Sequence, residues 1–221
     1  MLYLLLLAAE IVVIFFLSRK LQYRLSRFVY KLTKSRRWTV YVMAVLFLPG
    51  TFFHEISHFL AALFLLVPVG EIEMIPKIDG SEMKMGSVSI GKVDPIRKFI
   101  VGIAPFFLGI FFILFAINFT LTSSLVNELW EFVIVGYVVF EVGNTMFLSK
   151  KDFKAVWEFL VIVIVVVCAF YLLGISFPTF DLNLFLHDGV LVLLKKANVY
   201  LLLPIVIDAL ALIFINSLSG K

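Results

Sequence analysis

Residues 99–122 read FIVGIAPFFLGIFFILFAINFTLT, 24 positions without one charged side chain. A bilayer's hydrocarbon core is about 30 Å thick and takes roughly 20 apolar residues of helix to cross. This stretch is long enough to span, and a soluble core helix rarely runs so far without a polar face. The rest of the chain agrees. Hydrophobic residues make up 62% of its 221 positions and charged residues 15%, against about 45–50% and about 25% in a soluble domain. So much apolar surface excludes disorder, and a lone Cys168 excludes a disulfide framework. The net charge of +4 fits basic loops at lipid headgroups better than nucleic-acid binding.

Working outward, further apolar runs follow at Met1–Leu17, Trp38–Val69, Phe132–Leu148, Phe159–Phe177 and Ala197–Leu218. With residues 99–122 they predict an α-helical polytopic membrane protein of about six transmembrane helices, forming one membrane domain over residues 1–221. Met1–Leu17 lacks the basic start and small-residue cleavage site of a signal peptide, so it reads as a retained first helix. Between the first two spans, residues 18–37 carry Arg19, Lys20, Arg24, Arg27, Lys31, Lys34, Arg36 and Arg37. Leu21, Leu25, Phe28, Val29 and Leu32 recur among them at helical spacing, the pattern of an amphipathic helix on the headgroups. Residues 70–94 break the helical rhythm. Glu71-Ile72-Glu73-Met74 alternates, Asp79-Gly80 is a turn signal, and Met83-Lys84-Met85 alternates again, which predicts a small membrane-associated β-hairpin or sheet.

The second span contains His54-Glu55-Ile56-Ser57-His58, an H-E-x-x-H motif that uses two of the three histidines in the chain. Positions four apart share one face of a helix, so both imidazoles reach one metal ion. Glu55 sits beside them, suited to act as general base on a water polarised by that metal. An acid inside a membrane is expensive and usually functional. A structural alternative is a pair of hydrogen-bonding histidines beside a buried acid. Pro49 and Gly50 just upstream allow a kink, although membrane helices carry such residues for other reasons too.

A catalytic zinc site takes three protein ligands and keeps one position open. Glu10, Glu141, Asp152 and Asp208 are the membrane-associated acids available, and His187 lies in a polar connector. Spacing does not choose among them. Glu10, Glu141 and Asp208 each suit a buried acid paired with a neighbouring helix. Asp152 also suits a helix-capping or solvated position.

Phe53-His54-Glu55-Ile56-Ser57-His58, the β-rich excursion, Gly102-Ile103-Ala104-Pro105 and the run Asn144 to Asp152 together resemble the site-2 protease family of intramembrane zinc metalloproteases. The family places an Asn eight residues before an Asp, in a Leu-Asp-Gly with a Pro between. Asn144 and Asp152 keep the spacing, but Lys151 and Phe153 replace the flanking Leu and Gly, and the Pro is missing. The similarity covers about residues 45–160. It implies that Asp152 is the third zinc ligand beside His54 and His58, and that Asn144 is a substrate-binding polar group.

The function expected is hydrolysis of peptide bonds in or near transmembrane segments of substrate proteins, with zinc as cofactor and the lipid bilayer as setting. An edge strand of the hairpin is suited to holding an unwound substrate by β-addition. Two alternatives carry the same motif. A ZIP-like metal ion transporter usually adds an acid just after the motif and a ligand-rich preceding helix, whereas here Phe59 follows and the preceding span offers only Glu10. A non-catalytic membrane scaffold is the other.

Overall fold

The computed structural model describes residues 1–73, 77–79, 82–84, 87–91, 93–174 and 188–219. Its elements run α1 (Leu2–Thr33), α2 (Arg36–Leu46), α3 (Leu48–Phe64), β1 (Val69–Glu73), β2 (Lys77–Asp79), β3 (Glu82–Lys84), β4 (Ser87–Ile90), α4 (Pro95–Thr122), α5 (Leu129–Thr145), α6 (Lys150–Leu172) and α7 (Asp188–Ser219). His187 lies outside the described residues.

The architecture is helical: among the described residues α1, α4, α6 and α7 are each long and apolar enough to cross a membrane, which makes up to five spans if the bent pair α2–α3 is one. That is fewer than the six expected, for two reasons. The 17 residues of α5 rise only about 26 Å at 1.5 Å each, short of a ~30 Å hydrocarbon core. The expected span 38–69 is broken, α2 and α3 meeting at 69°. Proline disfavours helical geometry in the residue before it and is at home in a first turn. Pro49 accordingly sits in the first turn of α3, and the break falls at Phe47.

At residues 18–37 the expected helical pattern is present, but it is not a separate element. Residues 18–33 continue α1 without interruption, and Ser35 starts α2 by accepting the Trp38 amide. No Gly or Pro interrupts residues 1–34, and Arg and Lys are good helix formers, so a change of polarity alone does not end the helix. Asp94 caps α4 by accepting the Ile96 and Arg97 amides. The Arg97 backbone bond first, and then its guanidinium, hold the Asp94 carboxyl below the usual carboxylate range.

The β element consists of two nested antiparallel pairs. β1 pairs with β4 in the register Val69↔Ile90, Ile72↔Val88 and Glu73↔Ser87, and β2 pairs with β3 through Lys77↔Lys84 and Asp79↔Glu82. Of the expected hairpin, Met74, Gly80 and Met85 lie outside the described residues.

The main core joins α1, α4, α5 and α7 through Ile14, Ile113, Ile117, Val139, Val142, Met146 and Leu201. A second cluster, Ala62, Val67 and Val101, ties the end of α3 to the start of α4. α6 packs on α4 through stacked Phe99 and Phe159 and a Lys98–Glu158 ion pair of 2.6 Å, while its residues 160–172, Cys168 among them, are exposed. Close approach between helices needs small residues. A Cβ on Gly50 would lie 2.5 Å from the Glu141 carbonyl oxygen, and one on Gly109 would lie 2.5 Å from the Met146 Cβ. These two glycines let α3 and α4 press against the C-terminal half of α5.

Candidate metal centre

His54, Glu55 and His58 are all buried on α3. The i, i+4 spacing brings the two imidazoles together edge to face, their planes at 85°, with Nε2 of His54 and Nε2 of His58 3.2 Å apart. Their other nitrogens are engaged. His54 Nδ1 lies 2.8 Å from the Thr145 carbonyl oxygen at the end of α5, and His58 Nδ1 lies 2.8 Å from the Val101 carbonyl oxygen in α4. A carbonyl only accepts, so each Nδ1 carries the hydrogen, and in a neutral ring that leaves Nε2 as a bare lone pair.

The third group arrives from α6. Ser149 and Asp152 form a capping box: the Ser149 hydroxyl accepts the Asp152 amide, and Asp152 Oδ2 accepts the Ser149 amide at 2.9 Å. This reciprocal bonding satisfies amides at the helix start and fixes the carboxylate. It faces both histidines, Oδ1 being 3.3 Å from His58 Nε2 and Oδ2 3.5 Å from His54 Nε2. At Gly102, the helix α4 approaches the backbone of Asp152, where a Cβ would lie 3.5 Å from the carbonyl oxygen.

Two lone pairs and a carboxylate converge with no hydrogen between neutral rings, and such a site attracts a cation. Zinc bonds of ~2.0–2.2 Å to nitrogen and oxygen place tetrahedral ligands roughly 3.3–3.5 Å apart. The two nitrogens, 3.2 Å apart, fall close to that edge length, and they lie 3.3 and 3.5 Å from different oxygens of Asp152, one ligand atom from each residue falling within 4.8 Å of the others. Nδ1-to-carbonyl bonds of this kind are also what orients histidine ligands in metal sites. His54, His58 and Asp152 therefore form a group able to hold a metal ion. Glu55 lies within electrostatic reach of all three and of Lys151.

The other acids singled out in the sequence are used elsewhere. Glu141 Oε2 accepts the Gly50 amide at 3.3 Å, and Asp208 Oδ1 accepts from Asn144 Nδ2 at 2.8 Å. Glu10 belongs to α1, and its Oε2 is buried with no partner among the described residues. The side chain of Asn144 donates to Asp208 and to the Phe140 carbonyl, and the backbone carbonyl oxygen of Asn144 accepts from Gln22. Asn144 is thus bound into α5, α7 and α1, next in sequence to Thr145, whose carbonyl orients His54. The sequence reading missed the orienting carbonyls of Thr145 and Val101, which leave no signature in side-chain types. It also missed Ser149, which the pattern Ser149-x-x-Asp152 signals. Compared with known proteins, the chain matches no family model, no curated protein and no solved structure.

Proposed function

We propose that the chain is a multi-pass membrane zinc metalloprotease of the site-2 protease type, acting on peptide bonds in or near transmembrane segments. One observation carries the reading. Two histidine lone pairs and a carboxylate converge within 4.8 Å of one another, with an additional acid, Glu55, next to His54 in the motif.

His54, His58 and Asp152 would hold the ion. Zinc bound there supplies a Lewis acid that polarises a carbonyl and brings the pKa of water down to about 7. Glu55 accepts the proton of the attacking water and returns it to the leaving amine. Asp152 contributes negative charge that offsets the ion in an apolar setting. The Thr145 and Val101 carbonyls keep both rings aimed. A helical substrate hides its scissile amides and has to unwind, and the β1–β4 pair offers strand edges to which an extended stretch adds.

The test is cleavage of a model transmembrane substrate by the purified protein in detergent, with metal content measured in parallel. Zinc-dependent cleavage supports the proposal. A proton shared between a histidine and Asp152 would satisfy the same acceptors, so absence of bound zinc would overturn it, as would metal transport without cleavage.

A further inference from the structure

We propose that Asp208 is a neutral carboxylic acid paired with the Asn144 amide, and that this pair positions the last turn of α5 so that Thr145 can orient His54. Only the final step rests on the metal reading above.

Asp208 is completely buried and Asn144 nearly so. Asn144 Nδ2 donates to Asp208 Oδ1, while the remaining oxygen of each side chain, Asn144 Oδ1 and Asp208 Oδ2, is buried with no donor among the described residues. Among the described residues no Lys, Arg or His forms an ion pair with Asp208. An isolated ionised carboxylate in such a place is costly, and the group neutralises instead. One proton on Oδ2 answers both orphans together. An acid O–H directed at the amide oxygen, with the amide N–H directed at the acid's other oxygen, closes a two-bond ring between planar groups. The protonated form thereby gains a donor that the ionised form lacks.

The pair's location gives it a role. Asn144 sits on the C-terminal turn of α5, and the same turn holds three further ties. Gln22 of α1 donates to the Asn144 carbonyl at 2.7 Å, Glu141 accepts the Gly50 amide, and the Thr145 carbonyl accepts from His54 Nδ1. Asp208 reaches this turn from α7 and ties it to the long α1–α7 pair. Asp208 is accordingly a positioning residue: it fixes the turn, the turn fixes a carbonyl, and the carbonyl fixes the tautomer and aim of a ligand. Together with the bond to the Phe140 carbonyl, the pair commits both amide hydrogens of Asn144, leaving none for a substrate.

The substitutions Asp208→Asn and Asp208→Leu separate the terms. An asparagine at 208 can make the same two bonds with the Asn144 amide, whereas leucine makes neither. Zinc affinity is read by competition with a chromophoric chelator, alongside infrared difference spectra of wild type minus Asp208→Asn, neither of which needs peptidase turnover. The expected result is a carboxylic-acid carbonyl band lost in Asp208→Asn, whose zinc affinity stays within about threefold. In Asp208→Leu the affinity falls roughly tenfold, the low end of what losing an outer ligand partner costs. Leu201→Ala, a fully buried truncation on the same helix, serves as the stability control and keeps its affinity. A carboxylate band in place of the acid band overturns the neutral pair, as does a tenfold loss in Asp208→Asn. Equal losses in Asp208→Leu and Leu201→Ala, or none in Asp208→Leu, overturn the positioning role. If Asp208→Leu does not fold, Gln22→Leu tests the same turn from α1, with the same loss expected and unchanged affinity counting against the role. Wild type that binds no zinc refutes the metal reading and the role that rests on it, while the infrared band still decides the pair.

Discussion

Replacing Gly50 by alanine tests whether the α3–α5 contact sets the geometry of the centre. The new Cβ would lie 2.5 Å from the Glu141 carbonyl oxygen, 2.6 Å from Thr145 Oγ1 and 2.8 Å from Thr145 Cγ2. The first of these is backbone and cannot rotate away. Taking 3.4 Å as ordinary contact, the helices must part by 3.4 − 2.5 = 0.9 Å there. Overpacking of this kind costs about 1–3 kcal/mol. His54 is one turn further along α3, with its Nδ1 2.8 Å from the Thr145 carbonyl. The same separation would stretch that bond to about 3.7 Å, beyond hydrogen-bond range. Gly50→Ala should therefore lower the thermal midpoint in detergent and weaken zinc binding by about 10–100-fold, the usual cost of losing an orienting partner. Gly136→Ala is the matched control on α5, since a Cβ there meets nothing within 4 Å. It should leave zinc affinity unchanged and stabilise by roughly 0.5–1 kcal/mol, as alanine does against glycine in a helix. Wild-type zinc affinity in a folded Gly50→Ala protein would refute the claim that α5 orients His54.

Three further outcomes follow from the site. Glu55→Gln should abolish cleavage of a transmembrane substrate while zinc content stays at the wild-type level, because the three ligands remain; near-normal turnover would remove Glu55 from the proton-transfer role. Asp152→Asn should weaken zinc binding and remove activity, whereas Glu141→Gln, which touches the Gly50 amide instead of the histidines, should do less to both, as read by metal analysis and the same cleavage assay. Ser149→Ala removes the hydroxyl that accepts the Asp152 amide. It should cost about 0.5–2 kcal/mol in thermal unfolding and loosen zinc, and an unaltered midpoint would mean that the cap does not hold α6 in place.

The apolar runs and the motif were legible in the sequence because each rests on a short-range rule. A charge-free run such as residues 99–122 has no stable place in water, and histidines four apart share a helix face wherever the helix lies. The pairing of Asp152 with them was accessible only through resemblance at residues 144–152, since spacing offered four acids equally. The structure brings Asp152 to both histidines because a capping box starts α6 there. Asp152 suited a helix cap as well as a solvated position, and the structure makes it the capping-box partner of Ser149 at a helix start. The break at Phe47 was half legible: Pro49 signalled a kink, but its size depends on how α2 packs back on α1 through Met43 and Val29. Nothing in the side-chain pattern of residues 139–145 announces that Asn144 meets Asp208 some 64 positions later in the chain, because such pairings are set by tertiary packing.

The most direct test of the metalloprotease account is the zinc content of the purified protein, measured before and after chelation and again after zinc is restored, with cleavage of a transmembrane substrate followed in each state. The account predicts one zinc per chain, cleavage lost with the metal and regained with it, and loss of the zinc when His54 and His58 are both replaced by alanine. Cleavage that persists in zinc-free protein, or zinc that stays bound without the two histidines, would contradict it.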